Sequence, residues 1–241
     1  SGTLFPYTTL FRSYRLSPEE LPVLADAMGE GPDRVISIAR LLGQRCRAYV
    51  LGDPAHFEAA IVQDDLAPAE PAGYGESAVA LWQLLQTVPD WTCANVAEEV
   101  SAELGGLMRT AMARRDADIS SGGRIRYYGD VYYSLEKPLQ TIPDHTVSDA
   151  TVRRLTLKDR PLLMDAPEEL KRNLGDMSDL ITERPLAAAI VDGSIVAVAQ
   201  IYAESRKYAD IGVFTLKDRR GGGLATTAAA ILIRDIQAAG K

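Results

Sequence analysis

Asp210-Ile211-Gly212-Val213-Phe214-Thr215-Leu216 runs directly into Lys217-Asp218-Arg219-Arg220-Gly221-Gly222-Gly223-Leu224-Ala225. The first part reads as a strand, the second as a basic linker and a glycine-rich turn that opens an Ala/Ile-rich helix from about Leu224 to Ala239. This is the pattern of a phosphate cradle. The first turn of a helix leaves its N–H groups unpaired, and its dipole adds positive potential there. Glycines let the backbone approach a diphosphate and take up positive φ. Lys217, Arg219 and Arg220 concentrate positive charge in a chain whose net charge is −7. A P-loop does not fit, because no Lys follows Gly223. A dinucleotide fingerprint starting at Gly221 fits poorly, because Thr226 stands where Gly or Ala is needed and the linker is too long.

Upstream, two strands at Ala187–Val191 and Ile195–Tyr202 are joined by Asp192-Gly193, a tight hairpin signal. A third strand covers Tyr208–Leu216. Before them come a strand at Val152–Leu157 and helices at Asp159–Met164 and Glu168–Leu174. Antiparallel hairpins mixed with helices point to an α+β architecture.

In this context Arg220-Gly221-Gly222-Gly223-Leu224-Ala225 resembles the Arg/Gln-x-x-Gly-x-Gly/Ala signature of the GNAT acyltransferase superfamily, and Ala209–Leu216 resembles that family's fourth strand. The resemblance covers roughly residues 147–241. It implies a mostly antiparallel sheet flanked by helices and acetyl-CoA as cosubstrate. By resemblance, the amides of the Arg220–Ala225 loop hold the CoA pyrophosphate, and Val213, Phe214 and Thr215 line the pantetheine and acetyl carbonyl. Asp210 stands near the family's general base, one methylene shorter than the usual Glu, and Glu204 is a lesser candidate. A carboxylate there is chemically useful, because an ammonium must lose its proton before it can attack a thioester. The family fold continues with further strands and a helix that often carries a Tyr acid. Lys241 precedes those elements, so an incomplete domain with an open sheet edge is expected.

Residues 14–146 carry no chemical motif of their own. Ser17-Pro18-Glu19-Glu20 opens a helix with Leu21, Leu24 and Met28 on one face, and Gly29 ends it. A second helix spans Asp33 to Gly43, and strands are expected at Ala48–Leu51 and Phe57–Val62. Gln63 to Gly75 reads as a loop, Ser77 to Val88 as a helix, and Trp91 to Val96 as a strand. A long helix capped by Asn95 follows, with Glu98 and Glu99 in its first turns, Val96, Val100, Leu104, Leu107, Met108 and Met112 as its stripe, and Arg114 and Arg115 at its end. Ser120 to Gly123 reads as a turn and Arg124 to Leu135 as a Tyr-rich strand broken at Gly129-Asp130. These last elements resemble the degenerate leading half of two-part GNAT proteins. Tyr127, Tyr128, Tyr132 and Tyr133 read either as a half-buried strand face or as the wall of an acceptor pocket.

Pro138 to Asp144 is taken as the seam between halves, giving domains 14–146 and 147–241. Thr3 to Ser13 resembles the conceptual translation of a sequencing-library adapter, so residues 1–13 are set aside. Cys46 and Cys93 have no metal or redox spacing and read as buried small hydrophobes. His56 and His145 have no ligand partners at metal spacing, so no metal is expected. Asp64-Asp65 and Glu98-Glu99 read as solvated or helix-start charge. The acidic balance argues against nucleic acid or an anionic membrane as partner. With no apolar run of spanning length and no signal peptide, the cytoplasm is the expected compartment. The resemblance therefore implies an N-acetyltransferase acting on a small-molecule or peptide amine. A non-catalytic CoA-binding or regulatory module, and a nucleotide-binding protein, stay open beside it.

Overall fold

The computed structural model describes residues 13–115, 126–129, 131–135, 137–174, 181 and 184–241, with 112–115 and 173–174 described by backbone alone. They divide into two units, one drawn from Ser1–Gly29 and Ser37–Val131 and the other from Glu30–Ile36 and Tyr132–Lys241. The adapter-like segment up to residue 12 and the expected turn at Ser120 to Gly123 lie outside the described residues, as do the side chains of Met112, Arg114 and Arg115.

The first unit holds β1 (Ser13–Arg15), α1 (Leu21–Met28), α2 (Val35–Leu42), β2 (Cys46–Asp53), β3 (His56–Asp64), β4 (Ala72–Tyr74), α3 (Ala78–Leu85) and α4 (Glu98–Arg115). Its sheet is antiparallel in the order β1-β2-β3-β4. The pleat sends Ala48, Val50, Ala60 and Val62 toward Leu24 of α1 and Ile38 and Leu41 of α2. It sends Tyr49, Leu51, Ala59 and Ile61 toward α3 and toward Val100 and Leu104 of α4. Two buried layers therefore sandwich one sheet, as a period of two requires. Ser17 N–H donates to Glu20 Oε2 at 2.8 Å, so the expected cap closes as a turn and α1 starts one residue later. That amide holds the Glu20 carboxyl below its ordinary value.

The second unit repeats the plan. β5 (Thr151–Arg154) is followed by α5 (Arg160–Met164), α6 (Glu168–Leu174), β6 (Leu186–Val191), β7 (Ser194–Glu204), β8 (Ala209–Thr215) and α7 (Leu224–Ala238). The sheet is antiparallel, β5-β6-β7-β8. Asp192 and Gly193 take φ of 50° and 75°, as a two-residue primed hairpin demands. One face packs Leu186, Ala188 and Val198 on Leu163 and Leu170. The other packs Ala187, Ala199 and Ile201 on Ala228 and Leu232 of α7. Asp159 closes the first turn after β5 as a capping box with Thr156. It also takes the Arg153 guanidinium at 2.6 and 2.9 Å, which drives its carboxyl far below the ordinary range. Each unit thus opens with a strand, follows it with helices, and completes its sheet with three later strands and a helix, and the whole is α+β as expected.

Four expectations for the first unit fail, each for a local reason. Trp91 to Val96 forms no strand. Its only ladder contact is a parallel bridge from Asn95 to Ala72, because Trp91 Nε1 instead donates to Leu85 O at the end of α3, and Thr92 and Cys93 N–H both turn to Ala69 O. Asn95 does not cap α4, since its backbone is committed to that bridge through Gly73 and Pro71. The loop from Gln63 hides β4, and the Gly75 that follows it sits at φ 140° where a Cβ would lie 2.6 Å from Glu58 O. The described residues of 124–135 form no ladder, and Tyr127, Tyr128, Tyr132 and Tyr133 are exposed, neither a half-buried strand face nor a pocket wall. Paired tyrosines put aromatics on both faces of an extended chain and leave no single face to bury.

The cysteines also separate. Cys46 is buried on β2 and its thiol is pushed up to about 12, chiefly by burial, whereas Cys93 is exposed, contrary to the expectation for both. Thiol titration of the native protein near pH 8 is expected to count one reactive group, lost in Cys93→Ser, and a second only in denaturant. Fast native reaction of two thiols would contradict this core.

Candidate functional site

β8 is the last strand of its sheet among the described residues, so one of its edges meets no ladder. Leu216 N–H donates to Val196 O at 3.0 Å, and the pairing runs Thr215 with Ala197, Phe214 with Val198, Val213 with Ala199. Antiparallel ladders alternate. Phe214 and Gly212 therefore point their backbone groups at β7, and Thr215, Val213 and Ile211 point theirs at the open edge. Val213 is 54% exposed, which leaves its N–H within reach of a ligand. Phe214 instead buries its ring beside the α5–α6 layer. The Thr215 carbonyl is taken by Arg220 Nε at 3.2 Å. That bond folds the basic linker back on the strand end and leaves the Arg220 Nη groups without a partner among the described residues.

The turn then enters α7 through Gly223, which serves as N-cap at φ 79° and offers no side-chain cap. No acceptor among the described residues meets the N–H groups of Leu224, Ala225 or Thr226. Leu224 itself is a core residue at 2% exposure, so its side chain is structural and only its amide faces the turn. Gly221 lies at φ 86° with nothing near its absent Cβ. The first unit shows the contrast. There Ser77 caps α3, its Oγ accepting from Ala80 N–H at 3.2 Å, so that helix start is satisfied by its own chain.

A strap of the second unit, residues 137–147, lies along α7. Gln237 Oε1 takes Leu139 N–H at 2.9 Å, Thr227 Oγ1 donates to Pro143 O at 2.9 Å, and Thr146 N–H donates to Gly222 O at 3.0 Å. A Cβ on Gly222 would stand 2.6 Å from Val147 Cγ2, and one on Gly223 would stand 3.5 Å from His145 Cα. Strap, helix and strand edge border an open apolar cavity of about 320 Å³ lined by Leu139, Pro143, Val213, Ala225, Ala229 and Ile233, among others. An apolar slot thus ends at a set of unpaired amides.

On the opposite face of β8 stands Asp210. The pleat places it with Gly212 and Phe214, away from Ala209 and Ile211, which pack toward α7. Burial pushes its carboxyl above the ordinary value, partly opposed by the Ile211 amide. No cation among the described residues pairs with it. Glu204 is different, being held in an ion pair with Lys241. His56 and His145 join no cluster of three or more His, Cys, Asp or Glu suited to a metal among the described residues. No helix among them is long and apolar enough to cross a membrane. The sequence thus singled out the loop and the strand; it carried no signal for the strap, whose packing on Gly222 depends on contacts some 75 residues apart.

No family model and no curated protein matches this chain. Its fold does match solved structures. One is a GCN5-related N-acetyltransferase-like protein from Streptococcus suis, 16% identical, with a TM-score of 0.53 over 92% of this chain and 86% of that one. Another is a Drosophila melanogaster protein solved by structural genomics, 15% identical, with a TM-score of 0.50 over 92% of this chain and 85% of that one. At such identities the likeness is one of fold, and the fold is of GNAT type.

Two outcomes follow from this geometry. Gly222→Ala is expected to cost about 1–3 kcal/mol of stability by overpacking Val147, and Val147→Ala is expected to restore part of it. Additive losses in urea unfolding would place the strap elsewhere. Asp210 has a folded-state value above its unfolded one, so its favourable contribution is complete below the ordinary carboxylate range and lost as pH rises through the folded value. The melting temperature of Asp210→Asn relative to wild type should therefore rise between pH 4 and pH 7. A difference independent of pH would mean the carboxyl is solvated.

Proposed function

We propose that this protein is an N-acetyltransferase that passes an acetyl group from acetyl-CoA directly to a primary amine. The observation that carries the reading is the alignment of three features within one strand–turn–helix: the open-edge N–H of Val213, the apolar cavity beside it, and the uncapped start of α7. Acetyl-CoA fits that combination, which offers donors for its carbonyl and pyrophosphate and an apolar path for the arm between. The amides of Leu224, Ala225 and Thr226, with the Arg220 Nη groups and Lys217, supply the pyrophosphate donors. The cavity along Val213, Ala225 and Ala229 takes the pantetheine arm.

In the reaction, the Asp210 carboxylate accepts a proton from the ammonium, directly or through one water. The freed amine lone pair forms the new C–N bond at the thioester carbonyl. Val213 N–H donates to the oxygen on which negative charge develops, a contact worth most where water is excluded. Collapse of the tetrahedral adduct breaks the C–S bond as the nitrogen gives its second proton to solvent, and CoA leaves as a thiolate that takes a proton from solvent in turn. A raised Asp210 value suits this role, because burial makes the carboxylate a stronger base than a solvated one. The fold likeness supports the reading at the level of architecture.

Calorimetric titration of acetyl-CoA into the full chain tests it. Saturable binding is expected, weakened about 10–100-fold in Arg220→Glu, the loss that a charged phosphate contact of about 1.5–3 kcal/mol implies. It should weaken with added salt. A folded sample that binds no acetyl-CoA would overturn the proposal. Binding without turnover on any primary amine, by a chain in which Asp210→Asn changes nothing, would leave a CoA-binding module in its place.

A further inference from the structure

Gln200 is a polar residue that the packing of β7 does not use. It is 8% exposed, and its Oε1 is buried with no hydrogen-bond partner among the described residues. Its cross-strand neighbours are Leu186 on β6 and Gly212 on β8, and Leu186 and nearby Val198 belong to the apolar layer under α5 and α6. A buried amide oxygen without a donor destabilises a fold relative to an apolar side chain of similar volume, so packing alone favours Met at this position.

Gly212 supplies the second observation. A glycine inside a strand weakens it and marks a close approach. Its backbone lies outside the left-handed region, and the nearest neighbours of a Cβ there would be Gln200 Cγ at 3.6 Å, Gln200 Nε2 at 3.7 Å and Tyr202 Cβ at 3.7 Å, ordinary contact distances. Neither conformation nor crowding demands glycine. What its missing side chain does is leave a gap beside the Gln200 amide on the β8 side. The Gln200 χ3 torsion is broad and roughly two-fold, so a half-turn exchanges Oε1 with the Nε2 now beside that gap.

Asp210 is the third. It lies two residues from Gly212 on the same face, about 7 Å along the strand by the rise of an extended chain. It has no cation partner among the described residues. One sheet face therefore gathers a carboxylate and an unpaired amide oxygen. The complement of two acceptors is a positively charged group with several N–H bonds.

We propose that Gln200 and Asp210 form a subsite for a primary ammonium group, in which Gln200 Oε1 accepts one N–H and Asp210 balances the charge. The role of this subsite as the acceptor site rests on the transferase reading; its existence does not. Gln200 is a positioning residue there, fixing the direction of the nitrogen lone pair once Asp210 has taken a proton. The subsite selects amines by their N–H bonds, so a quaternary ammonium of equal charge is rejected.

The test is nuclear magnetic resonance of the 15N-labelled full chain, titrated with propylammonium chloride and, separately, with tetramethylammonium chloride. Propylammonium is expected to shift the Ile211 and Gly212 amides and the Gln200 side-chain amide saturably, and tetramethylammonium is not. Gln200→Met should bind propylammonium at least 10-fold more weakly while melting at or above the wild-type temperature. Gly212→Val, which fills the gap and leaves Gln200 in place, should weaken it too. No saturable response in the wild type, an equal response to tetramethylammonium, or unchanged affinity in both variants overturns the subsite, the last being what a buried water on Oε1 predicts. Acetyl-CoA binding on the same sample separates the two readings. Acetyl-CoA bound with no ammonium response removes the subsite and leaves the transferase; the converse removes the transferase and leaves the subsite.

Discussion

Helix α7 can lie close against its sheet because β6 and β7 present alanine to it. Ala187, Ala189, Ala197 and Ala199 are all fully buried on that face, opposite Leu224, Ala228 and Leu232. Small side chains shorten the distance between helix axis and sheet, and a close-packed interior leaves little freedom to adjust it. The helix start is thereby held at the end of β8, a few residues of linker away. Everything proposed for the site follows from this placement. The uncapped amides, the exposed Val213 edge and the cavity between them are three consequences of one contact surface, not three independent features.

The repeated architecture gives that surface an internal control. Both units place a helix after the fourth strand of an antiparallel sheet, and both helices start near the end of that strand. In the first, two residues connect β4 to the cap, and Ser77 satisfies the helix from its own side chain. In the second, a 3₁₀ turn at Lys217–Arg219 and three glycines intervene, and the cap has no side chain to give. A glycine at the cap carries a cost of roughly a few tenths of a kcal/mol relative to a good side-chain cap. The same fold thus avoids that cost where no ligand is proposed and accepts it where one is.

Much of this was legible in the chain because the second unit follows local rules. Asp192-Gly193 specifies its hairpin by φ, the apolar runs of β6 and β7 suit strands covered on both faces, and Gly223 marks the helix start. The first unit was harder where side chains serve non-local partners. Trp91 looks like a strand residue, yet its indole ends α3, and Asn95 looks like a cap, yet its backbone extends β4. The tyrosines of 127–133 carry high strand propensity without a face to bury, and propensity alone did not make a ladder. At the site, Gln200 was invisible in the sequence, since a single Gln among apolar strand residues reads as a surface position until its burial is known.

The glycine-rich turn shows how far a motif can be pressed. Its sequence suggests one cause, the approach of a diphosphate, but the structure supplies two. Gly222 is small because Val147 of the strap occupies the space a Cβ would need, and Gly223 is left-handed where the turn enters the helix. Gly222 is thus accounted for by the strap, and Gly223 by the left-handed turn that this chain takes into α7, a turn that α3 does without. Gly221 is not accounted for in this way: it is left-handed at φ 86° with open space around it, and it sits between the basic linker and the strap. The case for a ligand therefore rests less on the glycines than on what they leave exposed, which is a helix start without a cap beside a strand edge without a partner. A phosphate cradle and a strap anchor are compatible on one turn, because the strap bonds to the Gly222 carbonyl while the amides that follow point the other way along the helix axis.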